Sequence, residues 1–173
     1  MDGERSTNRP HGGHVLIIQD TREQAPLKFK KDSVLTDVVT ETLSVGDYAV
    51  RYTNGLSCPI VFERKSLPDL YGTMTGGYPR FKKELMRAKQ AGIELVLIIE
   101  GSLTEVQAGV KYSKWDGDSM IKKLFTLLVR YGLYPVFCSD RLEMASFIKA
   151  FYEAWGRNMT VKQKVRELEK GKP

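Results

Sequence analysis

The sequence contains few of the residues that form disulfide frameworks and zinc sites. Its 173 residues include two cysteines, Cys58 and Cys138, and two histidines, His11 and His14. The cysteines are isolated from one another, and no cysteine or acidic residue accompanies the histidines at ligand spacing. These counts exclude a disulfide-stabilised fold and a structural zinc site, and they predict two reduced thiols.

Long apolar stretches are also missing. No apolar run approaches the roughly 20 residues that a membrane-spanning helix needs. Residues 1–13 have no apolar centre of the kind found in a signal peptide, and they are predicted to form a flexible arm. We therefore expect no membrane contact and no secretion. The predicted location is the cytoplasm, for a microbial or viral protein, or the nucleus in a eukaryote.

The overall composition is that of a folded, basic protein. Hydrophobic residues make up 42% of the chain, which is enough for a buried core in one domain. Lysine and arginine number 27 against 21 acidic residues, for a formal net charge of +6. A positive surplus favours polyanionic partners, because each neutralised phosphate releases counterions.

Strand and helix patterns alternate along the chain, which predicts one α/β domain over residues 14–156. A basic helix or tail is predicted over 157–173. Between 27 and 40 we expect at most one short helical turn, and we expect a loop over 101–117. The predicted strands cover 14–19, 43–52, 59–63, 94–99 and 133–138. The predicted helices begin at Ser66, Pro79, Asp118 or Ser119, Ser139 and Thr160, and they end near Thr73, Ala91, Gly132, Gly156 and Lys170.

Charged residues lie at the ends of the predicted strands. Asp47 lies on the first strand of a predicted hairpin, and Glu63 and Lys65 end the second, where they point to the same face. Asp20 and Glu23 add carboxylates after the first strand. Converging carboxylates hold Mg²⁺ or Mn²⁺, and a nearby cation offsets the charge that develops during phosphodiester hydrolysis. A surface salt-bridge cluster is the alternative for the same spacing.

A longer motif resembles a known family. Gly46-Asp47 followed by Glu63-Arg64-Lys65-Ser66-Leu67-Pro68-Asp69 is similar to the motif of the nuclease domain in the XPF/Mus-type structure-specific endonucleases. Asp20-Thr21-Arg22-Glu23 resembles the first motif of that family, and Arg80 resembles the arginine at the start of its next helix. The resemblance implies a restriction-endonuclease-like PD-(D/E)XK fold, with a central mixed sheet flanked by helices.

The resemblance also implies residue roles. Asp47, Glu63 and Asp20 are expected to bind one or two Mg²⁺ or Mn²⁺ ions, with Lys65 as the catalytic lysine. Glu23 and Arg22 are expected to orient the metal or the phosphate. Arg64 and Asp69 are expected to support the site; the alternative is an ion pair that holds the helix to the sheet.

A basic helix is predicted to contact DNA. Tyr78, Arg80, Lys82 and Lys83 lie near its start, where backbone amides and cations bind phosphate, although a solvated basic face is the alternative for the two lysines. The helix from Met120 to Tyr131 is more apolar than one buried face requires. Because the similar family dimerises, we expect a homodimer.

The expected function is a metal-dependent endonuclease that cuts branched, flap or fork DNA in repair, recombination or replication. The alternatives are a non-catalytic DNA-binding partner subunit and a restriction- or recombination-type nuclease. The sequence departs from the family in two respects. No helix-hairpin-helix repeats follow the predicted domain, and the segment between Glu23 and Thr42 is too irregular for the helix expected there.

Overall fold

The protein folds around a six-stranded mixed sheet in which one strand runs against the other five. The computed structural model describes residues 14–111 and 113–170, so the predicted arm, 1–13, lies outside the described residues. The strands are β1 (Val15–Asp20), β2 (Leu35–Glu41), β3 (Tyr48–Tyr52), β4 (Ile60–Ser66), β5 (Glu94–Glu100) and β6 (Tyr134–Cys138). Their order in the sheet is β2-β1-β3-β4-β5-β6.

Strand direction determines which residues meet at each edge of the sheet. β3 is antiparallel to both neighbours, β1 and β4, whereas the pairs β1–β2, β4–β5 and β5–β6 are parallel. The carboxyl ends of five strands therefore lie at one edge, together with the amino end of β3. Asp20, Ser66 and Glu100 end three of these strands, and Asp47 directly precedes β3.

Helices cover both faces of the sheet. They are α1 (Leu67–Met74), α2 (Tyr78–Gln90), α3 (Leu103–Ala108), α4 (Gly117–Tyr131) and α5 (Arg141–Lys170). The first four pack on one face, around a core that includes Leu70, Leu85 and Leu124. α5 packs on the other face, where Ile148 and Tyr152 contact the side chains of β1, β3 and β4. The predicted α/β class, a mixed sheet between helices, is confirmed.

One buried tyrosine of α5 joins two central strands. The Tyr152 hydroxyl lies 2.9 Å from the carbonyl oxygen of Tyr48 on β3 and 3.1 Å from that of Ile60 on β4. β3 and β4 share a single residue pair, Tyr48 with Phe62. The predicted hairpin is thus present, but its first strand begins at Tyr48 and not at Leu43.

Two elements were missing from the prediction. Residues 35–41 form β2, where at most a helical turn was expected. Leu35 is buried, and β2 pairs with β1 along its whole length, so this strand depends on a partner that is distant in sequence. α3 was also missed. Its start is a capping box in which Ser102 and Glu105 each bond the other's backbone amide.

The two predicted C-terminal helices are one helix. α5 continues past Gly156, which is buried, and past Thr160, whose hydroxyl bonds the carbonyl of Gly156 at 2.9 Å and caps no new helix. A threonine inside a helix commonly bonds the carbonyl four residues earlier. The prediction for the start of α4 was also wrong, because Asp116 caps it by accepting the Ser119 amide at 2.8 Å.

Among the residues that the structure describes, no helix combines the length and the apolar character needed to cross a membrane.

Candidate active site

The edge of the sheet where the five parallel strands end carries a cluster of charged side chains. β4 contributes Glu63, Arg64 and Lys65, and the turn before β3 contributes Asp47. Alternation along β4 directs Glu63 and Lys65 to one side of the sheet and Arg64 to the other, as predicted. The Lys65 ammonium forms an ion pair with Glu63 Oε1.

A glycine turn fixes the position of Asp47. Gly46 has a positive φ of 72°, and a Cβ atom there would lie 2.5 Å from Val61 Cγ1, so only glycine fits. The Asp47 amide donates to the Phe62 carbonyl at 2.8 Å, and the Arg64 amide donates to Asp47 Oδ2 at 2.7 Å. These two backbone contacts place the carboxylate next to β4.

Asp47 and Glu63 are close enough to affect each other's ionisation. Burial raises the pKa of Asp47, although the Arg64 amide and Lys65 oppose this effect. Burial and then the charge of Asp47 raise the pKa of Glu63, which is 5% exposed, while Lys65 opposes the shift. Ionising both carboxyl groups in this site is therefore unfavourable, and a bound cation would relieve that cost.

Lys65 remains a cation in this environment. Burial by itself lowers the pKa of its ammonium, but the charge of Glu63 and the bond to it raise the pKa overall, and Asp47 adds to this. Lys65 is therefore a protonated donor beside the two carboxylates.

Asp20, predicted as a further metal ligand, is hydrogen-bonded to Arg22 and to the Leu43 amide. Its carboxylate accepts the Arg22 guanidinium at 2.7 and 3.1 Å and the Leu43 amide at 2.7 Å. Burial raises the pKa of Asp20, but these hydrogen bonds outweigh burial and lower it. Arg22 is exposed, donates to the Leu43 carbonyl at 2.8 Å, and lies within electrostatic reach of Asp47.

Arg64 forms a buried ion-pair network on the opposite side of β4. It donates to Glu23 Oε2 at 3.1 Å and to Glu100 Oε2 at 3.0 Å. Arg141 of α5 lies 4.0 Å from the same Glu100 oxygen and donates to the carbonyls of residues 25 and 26. The network holds the loop after β1 against the ends of β4 and β5.

Asp69 belongs to the start of α1. Its amide donates to Ser66 Oγ at 3.3 Å, and Ser66 Oγ donates to Asp69 Oδ2 at 2.7 Å. Ser66 is thus the predicted N-cap. The proposed alternative, an ion pair between Arg64 and Asp69, is wrong, because Arg64 binds Glu23 and Glu100 instead.

The predicted DNA-binding residues lie at the start of α2. Arg80, Lys82 and Lys83 are exposed. Tyr78 is half-buried, and the Lys123 ammonium of α4 lies 3.4 Å from the centre of its ring. One face of the Tyr78 ring is therefore covered by a cation.

The sequence reasoning missed Glu84 of α2. Its Oε1 accepts the Gly46 amide at 3.3 Å, and its charge contributes to the raised pKa values of Asp47, Glu63 and Lys65. A usable signal was present. Glu84 falls within the stripe of Phe81, Leu85 and Ala88, the buried side of α2, where a carboxylate is unexpected.

The donors at this edge fit a hard divalent cation. Mg²⁺ prefers oxygen ligands, commonly keeps several waters, and needs only one or two carboxylates besides substrate phosphate. Asp47 and Glu63 supply such a pair. Over 14–111 and 113–170, no three His, Cys, Asp or Glu side chains converge into a group that could hold an ion by themselves. The remaining ligands would therefore come from water or phosphate.

Comparison with known proteins identifies the family. A search of curated proteins found no match. The chain is similar in structure to XPF from Aeropyrum pernix, with a TM-score of 0.58 and 21% identity over 88% of this chain and 69% of that chain. It is also similar to XPF from Aeropyrum pernix in complex with DNA, with a TM-score of 0.59 and 20% identity over 86% and 66% of the two chains.

These likenesses show a shared fold, and each relative has about a third of its chain outside the match. The family model described as the ERCC4 domain matches residues 19–151, a span that includes Asp20, Asp47 and the Glu63-Arg64-Lys65 sequence. The resemblance to XPF-type nuclease domains is thereby confirmed. The chain belongs to the ERCC4 domain family.

Proposed function

We propose that the protein is a metal-dependent DNA endonuclease. The observation that carries this proposal is the meeting of half-buried Asp47 and buried Glu63 at one edge of the sheet, with the Lys65 ammonium paired to Glu63 beside them. Membership of the ERCC4 domain family and the structural likeness to a DNA-bound XPF support it.

The chain's own residues have distinct roles in this proposal. Asp47 and Glu63 would hold Mg²⁺ or Mn²⁺, which when bound polarises the phosphate and lowers the pKa of a coordinated water. The Lys65 ammonium would orient that water and offset the charge developing on the phosphate. Asp20 would act through Arg22, which it holds by two hydrogen bonds at the rim of the site.

DNA would approach along α2. Arg80, Lys82 and Lys83 are exposed on this helix, and Arg22 is exposed on the loop after β1. Cations arranged in this way bind the phosphate backbone and set its position without reading its sequence. Because the contacts are to phosphate, the affinity should fall steeply as the salt concentration rises.

The preferred substrate is proposed to be branched, flap or fork DNA. A non-catalytic DNA-binding subunit is the alternative class, but such a subunit does not need Asp47, Glu63 and Lys65 together at one edge, as the fold places them here. A restriction- or recombination-type nuclease would share the chemistry and differ in the DNA that it cuts.

We also propose a homodimer through α4. Phe125 and Val129, one helical turn apart, are 51% and 85% exposed. Ile121 and Leu128 are half-buried beside them. An apolar stripe of this kind on the outer side of a helix is typical of a protein interface, and a second copy of the chain would cover it.

The test is a cleavage assay with flap, fork, Holliday-junction and linear duplex substrates in Mg²⁺ and in Mn²⁺. Asp47→Asn and Glu63→Gln keep the shapes of the side chains and should abolish cleavage, and Lys65→Ala should reduce it at least about a hundredfold. Glu94→Gln, an exposed site at the far end of β5, is the matched control. Full activity in Asp47→Asn or Glu63→Gln would refute the mechanism.

A further inference from the structure

We propose that Glu84 is a positioning residue that connects the DNA-binding helix α2 to the metal-binding turn at Asp47. The inference rests on the proposed nuclease function and adds a residue to its site. Glu84 acts through the backbone of Gly46, and its role is to keep the Asp47 carboxylate in place beside Glu63.

The backbone groups of the Gly46-Asp47 turn bond to two different parts of the fold. The two backbone groups of Asp47 are used within the sheet: its amide donates to Phe62, and its carbonyl accepts the Asp20 amide at 2.8 Å. The amide of Gly46 points instead to α2, where Glu84 Oε1 accepts it at 3.3 Å. A side chain of α2 therefore completes the hydrogen bonding of a turn that belongs to the sheet.

Glu84 lies on the side of α2 that faces the core. Glu84 is half-buried, and its neighbours Phe81, Leu85 and Ala88 pack into the core on the α2 side of the sheet. This packing holds the backbone of α2 in place, with Glu84 Oε1 within hydrogen-bond distance of the Gly46 amide. A metal-binding group stays in its productive geometry when the residues that support it are held rigidly, as α2 holds Glu84 here.

The cations that would bind phosphate lie on the same helix as Glu84. α2 carries the exposed cations Arg80, Lys82 and Lys83, within one turn of Glu84. A phosphate bound to these cations would fix the position of α2. The hydrogen bond between Glu84 and the Gly46 amide would then couple the position of the helix to the position of Asp47. Glu84 would therefore link correct DNA placement to correct placement of a metal ligand.

The charge of Glu84 has two opposing effects on the metal. It adds to the negative potential that attracts a cation, but it also raises the pKa values of Asp47 and Glu63, which favours their protonated forms. Because these effects oppose each other, we assign the main contribution to the hydrogen bond. Glutamine keeps that bond without the charge, which makes the assignment testable.

The experiment measures Mn²⁺ affinity by calorimetry without DNA, together with kcat and KM for cleavage. Glu84→Met keeps the length of the side chain and loses the acceptor, and Glu84→Ala is a second variant without it. Either should weaken Mn²⁺ binding about tenfold and lower kcat more than it raises KM. Glu84→Gln should recover most of the affinity. Glu94→Gln is the control for loss of a carboxylate, and urea unfolding checks that each variant folds.

Two results would overturn the proposal: wild-type Mn²⁺ affinity in both Glu84→Met and Glu84→Ala, or Glu84→Gln binding as weakly as Glu84→Met. Failure of the nuclease proposal has a different signature. In that case the wild-type protein binds no Mn²⁺, or Asp47→Asn binds it as the wild type does, and the role of Glu84 in metal placement is lost with it.

Discussion

Arg64 and Glu23 form a buried ion pair at the edge of the sheet. The Arg64 Nε atom lies 3.1 Å from Glu23 Oε2, and both side chains are 8% exposed. Glu23 also accepts the Ala25 amide at 2.8 Å, and Arg64 bonds Glu100 in addition. The two charges therefore fix the loop after β1, and with it Arg22, relative to the carboxylate pair on the other side of β4.

Arg64→Ala should destabilise the protein strongly, because it leaves Glu23 buried without its partner. We expect a loss of about 3–5 kcal/mol in the free energy of unfolding, measured by urea denaturation. The exposed pair of Arg51 and Glu41, at 2.8 Å, provides the control, and Arg51→Ala should cost less than about 1 kcal/mol. Equal losses in the two variants would contradict the assignment of a buried network.

Gly46→Ala should destabilise the protein by more than the cost of a positive φ at this position. Alanine at Gly46 incurs the cost of a positive φ, about 1 kcal/mol, and its Cβ would also meet Val61 Cγ1 at 2.5 Å. Gly55 has a similar φ of 79° and open space around it. We therefore expect Gly46→Ala to be less stable than Gly55→Ala by about 1–3 kcal/mol in urea denaturation, and to bind Mn²⁺ more weakly. Matching unfolding curves would show that the turn tolerates a side chain.

The stability of the metal-free protein should decrease as the pH rises. In the folded state the pKa is raised to about 6 for Asp47 and to about 8 for Glu63, above the ordinary values of both groups. A carboxyl group whose pKa is higher in the folded state than in the unfolded state contributes less to stability as it ionises. The free energy of unfolding therefore falls as the pH rises from the ordinary carboxyl pKa to the raised values. Over that pH range, the free energy of unfolding of Glu63→Gln should rise by at least about 1 kcal/mol relative to that of the wild type. This corresponds to about 2–4 °C in Tm.

Mg²⁺ should reverse this trend. The proposed binding of Mg²⁺ to the folded state should stabilise the wild-type protein, and the increase in Tm should be larger near about pH 8 than near about pH 5, where protons compete for the carboxylates. Thermal unfolding with and without Mg²⁺ measures both effects. The same increase in Tm in the Asp47→Asn variant would place the bound ion elsewhere.

Val129→Glu should dissociate the proposed homodimer. Val129 is 85% exposed on α4, and a carboxylate there would have to be buried against the second copy without a partner. Met86→Glu introduces the same charge at an exposed apolar residue of α2 and should leave the dimer intact. Size-exclusion chromatography with light scattering gives the masses. A monomeric wild type, or a dimeric Val129→Glu, would contradict the proposal.

Local signals in the sequence were sufficient for much of the site. The strand ends at Asp20 and at Glu63 to Lys65 were predicted from short apolar runs, and the α1 cap at Ser66 was predicted from its spacing to Asp69. Each of these features depends on neighbours in the chain. The alternation that separates Arg64 from Glu63 and Lys65 is equally local.

Three of the missed features, β2, the continuation of α5 and the role of Glu84, depend on contacts between distant residues. β2 is an edge strand whose only described sheet partner is β1, and α5 continues past Gly156 while Trp155 stacks on Tyr52 at 5.5 Å between ring centres. Glu84 joins the site only because α2 packs over the Gly46 turn. The local sequence of β2 resembles that of a loop, and the local sequence around Gly156 resembles a helix end, whereas Glu84 could have been noticed from its place in the buried stripe of α2.

The bridge from Tyr152 to the carbonyls of Tyr48 and Ile60 has a consequence for the time at which the active site forms. The two contacts span 104 and 92 residues, among the longest separations in the fold. Contacts of such separation form slowly, because a long loop must close first. During synthesis from the amino terminus, Asp47 and Glu63 leave the ribosome long before Tyr152. The carboxylate pair should therefore reach its final spacing only when α5 docks, and a nascent chain should bind no metal tightly until then.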